Sequence, residues 1–418
     1  MQPVDAFVTL LNGSPPTERS RLILERLRAS VAGLIGRDIA DVTGESVFSW
    51  VHSTDPSKAI EPFFGVLRQA VTNTLGWRIY PGEMATLTCL RELAGYLANE
   101  FEEPDWTTPR RSSASAVHIP SRRTPVAART KVSNVCFVLS SPRAGSTLVR
   151  VMLHGHPELF SPPELNLLPF ETMGQRAEWF REHGFGWMGS GVVATVAALG
   201  QLSHQEARAR IRACENADLP VADVYRELHD ATRRRLLVDK SPLYAADASF
   251  LRPAAERFHE PRFVHLVRHP YAVIDSLVRM RFHRLYGSSW PGWHPSPWKY
   301  AEHCWVQMNE TIGTFLRDVP QSRTSVIRFE DLLTDLETTS STICNAFGVD
   351  FHPGLLTPYD GDRLTHHGDR QHCTLGDMHF LDHKDIDPDR GTSWQRVRLP
   401  FALDAKTVRL AEAFGYAT

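Results

Sequence analysis

Val135-Cys-Phe-Val-Leu139 runs without a break into Ser140-Ser-Pro-Arg-Ala-Gly-Ser-Thr147, and a helical pattern begins near Leu148. A continuous apolar run of that length fits a strand buried on both faces, as in a parallel sheet. A strand, a turn of small residues and a helix N-terminus make a cradle of backbone N–H groups for a phosphate or sulfate. The amides around Ala144 to Thr147 supply it, and Gly145 allows close approach. Ser146 and Thr147 add hydroxyls, and Arg143 adds a fixed charge. The same residues also suit an ordinary turn with a helix cap, so the loop alone does not decide.

Further apolar runs follow at Arg235-Leu-Leu-Val238, Phe263-Val-His-Leu-Val267 and Thr324-Ser-Val-Ile327, with helical patterns between them. Strands alternating with helices predict an α/β fold, a P-loop-type parallel sheet flanked by helices. Ligands of such sheets bind at the carboxyl ends of the strands. There, Phe263–Val267 leads into Arg268-His-Pro-Tyr-Ala-Val-Ile-Asp-Ser276. The Walker A pattern is absent, because Gly145 is followed by Ser146 with no intervening lysine, and a kinase needs that lysine and Mg²⁺. Leu236-Leu-Val-Asp-Lys240 still reads as a Walker B strand, which keeps a P-loop kinase as the alternative enzyme. A nucleotide-binding scaffold without turnover is the alternative from another class.

A net charge of −2 gives no global field for nucleic acid or an anionic membrane, so any anion site must be local. The first residues lack a basic region and a long apolar core, so they do not look like a secretory signal. The apolar stretch 184–202 is rich in small residues and is expected as a buried helix or packed loop, with no membrane span. The six cysteines are scattered without a CxxC pair, which fits a reducing cytoplasm. His352, His366, His367, His372, His379 and His383 crowd one segment, but their spacing matches no common zinc pattern and no metal is expected. Trp290, Trp293, Trp298 and Trp305 are expected to divide between core packing and a wall of an acceptor site.

Before the first strand lie three amphipathic patterns: Leu24, Leu27, Val31 and Leu34; Ile60, Phe63, Phe64, Leu67 and Val71; Leu90, Leu93, Leu97 and Phe101. Asp55-Pro56 is a start signal for the middle one. Residues 104–131, rich in Pro, Ser, Thr and Arg, read as a linker. The chain thus divides into a helical domain (1–103), a linker (104–131) and an α/β domain (132–418).

Residues Val132 to Tyr416 resemble PAPS-dependent sulfotransferases, which use 3′-phosphoadenosine-5′-phosphosulfate as sulfonate donor. The loop 140–147 is similar to that family's 5′-phosphosulfate loop, and Arg268 with Ser276 keeps the spacing of its 3′-phosphate pair. Leu236 to Pro242 resembles the lysine-bearing "KSP/KTP" segment, which implies that Lys240 borders the transferred group. Val326-Ile-Arg-Phe-Glu-Asp-Leu-Leu333 looks like its "RYEDL" segment, and 376–386 with Trp394 like the segment closing over the nucleotide. Glu164, in Leu159-Phe-Ser-Pro-Pro-Glu-Leu-Asn-Leu-Leu168, matches the catalytic glutamate of glycan and tyrosyl sulfotransferases. It also resembles the corresponding segment in polyketide-synthase sulfotransferase domains. The resemblance therefore implies PAPS as co-substrate without metal and Glu164 as general base. Lys240 and Arg143 would stabilise charge on the sulfonate and the departing phosphate, and His379 or His383 would touch acceptor or cofactor. The acceptor would be a hydroxylated natural-product or acyl molecule, free or carrier-bound. A helix-capping role for Glu164 is the plain alternative. Residues 19–102 resemble an acyl carrier protein without its "DSL" serine, implying a degenerate carrier-like domain with a docking partner or a dimerising role; a plain helical bundle fits as well.

Overall fold

The computed structural model describes residues 4–44, 61–75, 89–99, 131–183, 185–233, 235–280, 282–286, 290–361, 363, 380 and 384–418. Two compact units divide the chain, Met1–Thr108 and Pro109–Thr418. In the first, α1 (Val4–Asn12), α2 (Pro16–Ile35), α3 (Glu61–Leu75) and α4 (Leu90–Asn99) bury one small core. The buried stripe of α2 is Ile23, Leu27 and Val31, one residue earlier at its start than the pattern read from sequence. Leu34, expected on that stripe, is 41% exposed, because the helix ends two residues later at Gly36 in the left-handed region (φ 68°). Asp55-Pro56 and Phe101 lie outside the described residues.

The second unit is built on five parallel strands: β1 (Val135–Ser140), β2 (Leu159–Phe160), β3 (Leu236–Lys240), β4 (Arg262–Val267) and β5 (Thr324–Arg328). Their order across the sheet is β2-β3-β1-β4-β5. The chain starts in the middle with β1, crosses to one edge as β2, returns to fill the gap as β3, and then builds outward on the other side as β4 and β5. That places a topological switch point at the carboxyl end of β1, where a ligand crevice is expected. Every residue of β1 is buried, which is why its sequence is apolar without alternation. β5 is an edge strand, and Val326 is 53% exposed on it. The two-residue β2 has no readable pattern; it forms because Leu159 and Phe160 pair with Leu236 and Leu237.

Helices follow the strands in chain order: α5 (Ser146–His154), α6 (Met173–Glu182), α7 (Ser190–Gly200), α8 (His204–Asn216), α9 (Val221–Ala231), α10 (Ala248–Arg257), α11 (Pro270–Arg279), α12 (Phe282–Tyr286), α13 (Pro297–Leu316), α14 (Phe329–Thr334), α15 (Leu336–Phe347) and α16 (Ala405–Ala413). The apolar stretch expected as helix or packed loop is α7, with Val192, Val193, Ala194 and Ala197 buried. The sheet's two faces carry two cores. Cys136, Val138, Val264 and Leu266 pack on the α5, α14 and α15 side, and Val135, Phe137, Leu139 and Phe263 pack on the opposite side. This is the period-two alternation of strands, present although both faces are apolar. Among the described residues no helix is long and apolar enough to cross a membrane.

His265 breaks the apolar run of β4 and is fully buried. Its Nε2 donates to Asn309 Oδ1 at 2.9 Å, and Asn309 Nδ2 donates in turn to the Trp305 carbonyl at 2.7 Å. Burial pushes its imidazole from 6.5 down to about 4, with the Asn309 hydrogen bond opposing. Between those values the unfolded chain holds a proton that the folded chain does not, so this residue's contribution is complete above 6.5 and is lost as pH falls towards 4. The whole loss is of the order of 3 kcal/mol. Urea unfolding across that window is expected to show a steeper acid loss for the native sequence than for His265→Gln, which cannot take the charge. Equal slopes would remove His265 from the acid sensitivity.

Candidate active site

β1 ends in Ser140, and the turn after it needs two unusual backbone conformations. Arg143 has φ 65° and Gly145 has φ 91°, both in the left-handed region. At Gly145 a second constraint applies: a Cβ there would lie 2.2 Å from Cε2 of Phe329. Glycine thus lets the turn close onto the start of α14. α5 begins at Ser146, and the first amides of a helix have no carbonyl four residues back. They offer donors and the positive end of the helix dipole to an anion. Ser146 and Thr147 are buried there, and Ala144 is wholly so. The Ser140 and Ser141 hydroxyls, at the base of the turn, are buried without a partner.

Arg268 leaves the end of β4 beside this turn. Its guanidinium donates to the Arg143 carbonyl at 3.1 Å and lies over the Phe329 ring, 4.6 Å from the centroid. Its Nε is buried and has no hydrogen-bond partner among the described residues. Burial lowers its pKa to about 10; the Glu330 carboxylate opposes that, while Arg390 and Arg143 add to it. Arg143 Nε donates to Ser276 Oγ on α11 at 3.1 Å, so the structure gathers Arg143, Arg268 and Ser276 around one spot. Arg143, read from sequence as a partner of the transferred group, thereby sits with the Arg268–Ser276 pair. Arg390 is an addition, carried by the 3₁₀ turn Pro388–Gly391 near Arg268. Its Asp-Pro-Asp-Arg-Gly context signals only a turn, and nothing in its spacing points to an anion.

A second cluster forms at the end of β3. Lys240 is 1% exposed, and its Nζ donates to Glu164 Oε1 at 2.6 Å. Burial lowers the lysine's pKa, the Glu164 carboxylate works against that, and the buried Arg150 of α5 adds to the lowering. Arg150 donates to the carbonyls of Ser161 and Arg363, at 3.3 and 3.1 Å. Sequence reading missed it because an arginine in an amphipathic helix ordinarily faces solvent. The Glu164 side chain is 19% exposed, in reach of solvent. Glu164 caps no helix: α6 starts at Met173, and its cap is Thr172, which accepts from Gln175 N–H at 3.2 Å.

The loop holding Glu164 is fixed from below by Asp239. This carboxylate is fully buried and accepts from Tyr225, from Tyr244 at 2.7 Å and from Ser241 at 2.9 Å. Burial raises its pKa and the three hydrogen bonds work against the rise. Tyr244 Oη also accepts from the Leu167 and Leu168 amides, and Ser241 Oγ accepts from the Asn166 amide at 3.1 Å. From above, Gly191 of α7 lies so close that a Cβ would fall 2.0 Å from the Glu164 carbonyl oxygen. Asp239, the residue a Walker B strand would aim at a metal, is therefore enclosed by three hydroxyls.

Trp290 and Trp305 are core, and the Trp305 indole donates to the Arg268 carbonyl at 3.0 Å. Trp298 packs partly against the same core and Trp293 is exposed. Trp394 stacks on His269, with centroids 3.8 Å apart and planes 8° from parallel. Of the crowded histidines, His352 holds the Gly354 amide through Nδ1. His366, His367, His372, His379 and His383 lie outside the described residues.

A family model described as the sulfotransferase family matches residues 136–353. Among solved structures, the sulfotransferase domain of the Synechococcus PCC 7002 olefin synthase is 41% identical, with a TM-score of 0.62 over 69% of this chain and 97% of that domain. The sulfotransferase domain from the curacin biosynthetic pathway is 38% identical, with a TM-score of 0.63 over 69% of this chain and 99% of that domain. Nodulation protein NoeE of Sinorhizobium fredii is 30% identical over 144 residues, which are 34% of this chain and 30% of that protein. With the sheet, the phosphate-type loop and these likenesses agreeing over the same residues, the chain belongs to the sulfotransferase family.

Proposed function

We propose that the protein transfers the sulfonate group of 3′-phosphoadenosine-5′-phosphosulfate to a hydroxyl of an acyl or natural-product acceptor. The observation that carries this reading is the pairing of two anion-ready places on adjacent strand ends. The turn 140–147 with its unpartnered Ser140 and Ser141 hydroxyls fits a 5′-phosphosulfate. Arg268, with a buried Nε lacking a partner, fits a 3′-phosphate together with Ser276, Arg143 and Arg390.

In the proposed step the acceptor oxygen attacks sulfur in line with the leaving phosphate. An O–S bond forms as the S–O bond to the 5′-phosphate breaks, and the acceptor proton passes to Glu164. Lys240 donates to Oε1, which leaves Oε2 for the proton. Charge growing on the departing phosphate meets the amides of residues 144–147 and the N-terminus of α5, which act without reorganising. The two solved relatives come from an olefin synthase and the curacin pathway, which favours a hydroxylated acyl acceptor, free or carrier-bound. For the first unit the corresponding role is docking or dimerisation by a carrier-like bundle. Ser53 and Ser57, the serines nearest the expected attachment position, lie outside the described residues.

Radiolabelled sulfonate transfer to a panel of hydroxyacyl acceptors tests the reaction; γ-phosphate transfer from ATP with Mg²⁺ would replace it with a kinase, and donor binding without turnover with a scaffold. Arg268→Ala is expected to weaken binding of 3′-phosphoadenosine-5′-phosphate by ~2–5 kcal/mol while sparing adenosine-5′-phosphate, because only the first has the 3′-phosphate. Equal weakening would sink the assignment of Arg268. Glu164→Gln should lower turnover ~10²–10⁴-fold per folded molecule with nucleotide affinity little changed. Its melting temperature should also fall, because Lys240 loses the counter-charge of a buried pair. Near-normal transfer would remove Glu164 as the base. Mass spectrometry after co-expression with a phosphopantetheinyl transferase should find the chain unmodified; an added phosphopantetheine would make the first unit a working carrier.

A further inference from the structure

Glu330 is the second residue of α14, next to Phe329 under the Arg268 guanidinium, and both its oxygens are engaged. Oε1 accepts from the His269 amide at 3.0 Å and Oε2 from the Tyr416 hydroxyl at 2.7 Å. Residues 415–417 are held against the end of β4 and β5 by other contacts as well. Arg328 donates to the Gly415 carbonyl and the His269 ring donates to the Ala417 carbonyl, each at 2.9 Å. The Tyr416 ring stands edge-on to His269 with centroids 5.1 Å apart.

The consequence concerns charge. Arg268 is mostly buried, and Glu330 is the foremost negative charge acting on it. A carboxylate near a poorly solvated guanidinium is drawn into a bidentate pair unless something else holds it. No ion pair joins Glu330 to Arg268, although Arg268 Nε is a buried donor without a partner. Both oxygens of Glu330 are instead held by hydrogen bonds, one from backbone and one from Tyr416.

We propose that Tyr416 is a positioning residue of the donor site: by holding Oε2 of Glu330, it keeps that carboxylate from closing on Arg268 and so reserves the guanidinium for the 3′-phosphate. This rests on Arg268 being the 3′-phosphate residue. Tyr416 touches no donor atom in this scheme. It acts through Glu330, and its loss converts a bystander carboxylate into a competitor for the same cation.

Calorimetric titration with two nucleotides tests this. Tyr416→Phe should weaken 3′-phosphoadenosine-5′-phosphate roughly tenfold, a usual coupling between neighbouring sites, and leave adenosine-5′-phosphate nearly unchanged. Adding Glu330→Gln to Tyr416→Phe should restore most of the loss, since the competing charge is gone. Glu330→Gln alone, which keeps the hydroxyl partner, should bind the 3′-phosphorylated nucleotide at least as tightly as the native sequence; this keeps the test intact if the tyrosine variant does not fold. Equal weakening for both nucleotides, or no rescue by Glu330→Gln, makes Tyr416 merely structural and overturns the proposal. Arg268→Ala measured alongside separates the two ideas. If it erases the preference for the 3′-phosphorylated nucleotide while Tyr416→Phe leaves that preference whole, only the role of Tyr416 falls. If Arg268→Ala leaves the preference in place, the assignment beneath it falls.

Discussion

The Phe329 ring is wedged between the backbone of Gly145 and the guanidinium of Arg268, and this contact ties together three strand ends. Gly145 belongs to the turn after β1, Arg268 follows β4, and Phe329 follows β5. A side chain at 145 would push the ring away and remove the platform under the arginine. A smaller residue at 329 would leave a void under both. The phosphate-type turn and the arginine site therefore cannot be placed independently. Their spacing is set by an aromatic ring, whose rigid width does not adapt as a chain of methylenes would.

On β3 the alternation of a strand does different work with two neighbouring residues. Asp239 turns to the side of Tyr225 and Tyr244, and Lys240 turns to the side of α5. The first is buried under three hydroxyls and organises the loop 161–168 through Tyr244 and Ser241. The second reaches the glutamate carried by that same loop. One dipeptide thus builds both the support of Glu164 and its counter-charge. Burying a lysine and an aspartate side by side is costly unless each finds its partner, and here each does.

The parallel sheet was legible because β1, buried throughout, is an unbroken apolar run, and β4 repeats that run with a single break at His265. Arg268 and Ser276 were legible only through the family resemblance, as an arginine at a strand end and a serine eight residues on. Other parts depend on contacts between distant segments. β2 exists through its pairing with β3, and its two residues have no period to read. Arg390 approaches Arg268 across more than a hundred residues of chain, in a turn whose sequence explains only the turn. Arg150 looks like the polar side of a helix until α5 is seen to be enclosed. The stripe of α2 was read one residue late because its terminal leucine was taken as core, whereas the helix stops before that position can be covered.

The close approach at Gly191 bears on which acceptors can be served. The loop carrying Glu164 rests directly on the first turn of α7, with no side chain between them to act as a cushion. Shifting the carboxylate to suit a bulkier alcohol would require moving a packed helix, not flexing a loop. With Glu164 as the proposed base, the reacting hydroxyl would be held in place by the scaffold, and tolerance for different acceptors would come from residues away from this loop. A library built to broaden acceptor range is better aimed at residues away from this helix-loop seam, which behaves as a datum surface from which the substrate is measured.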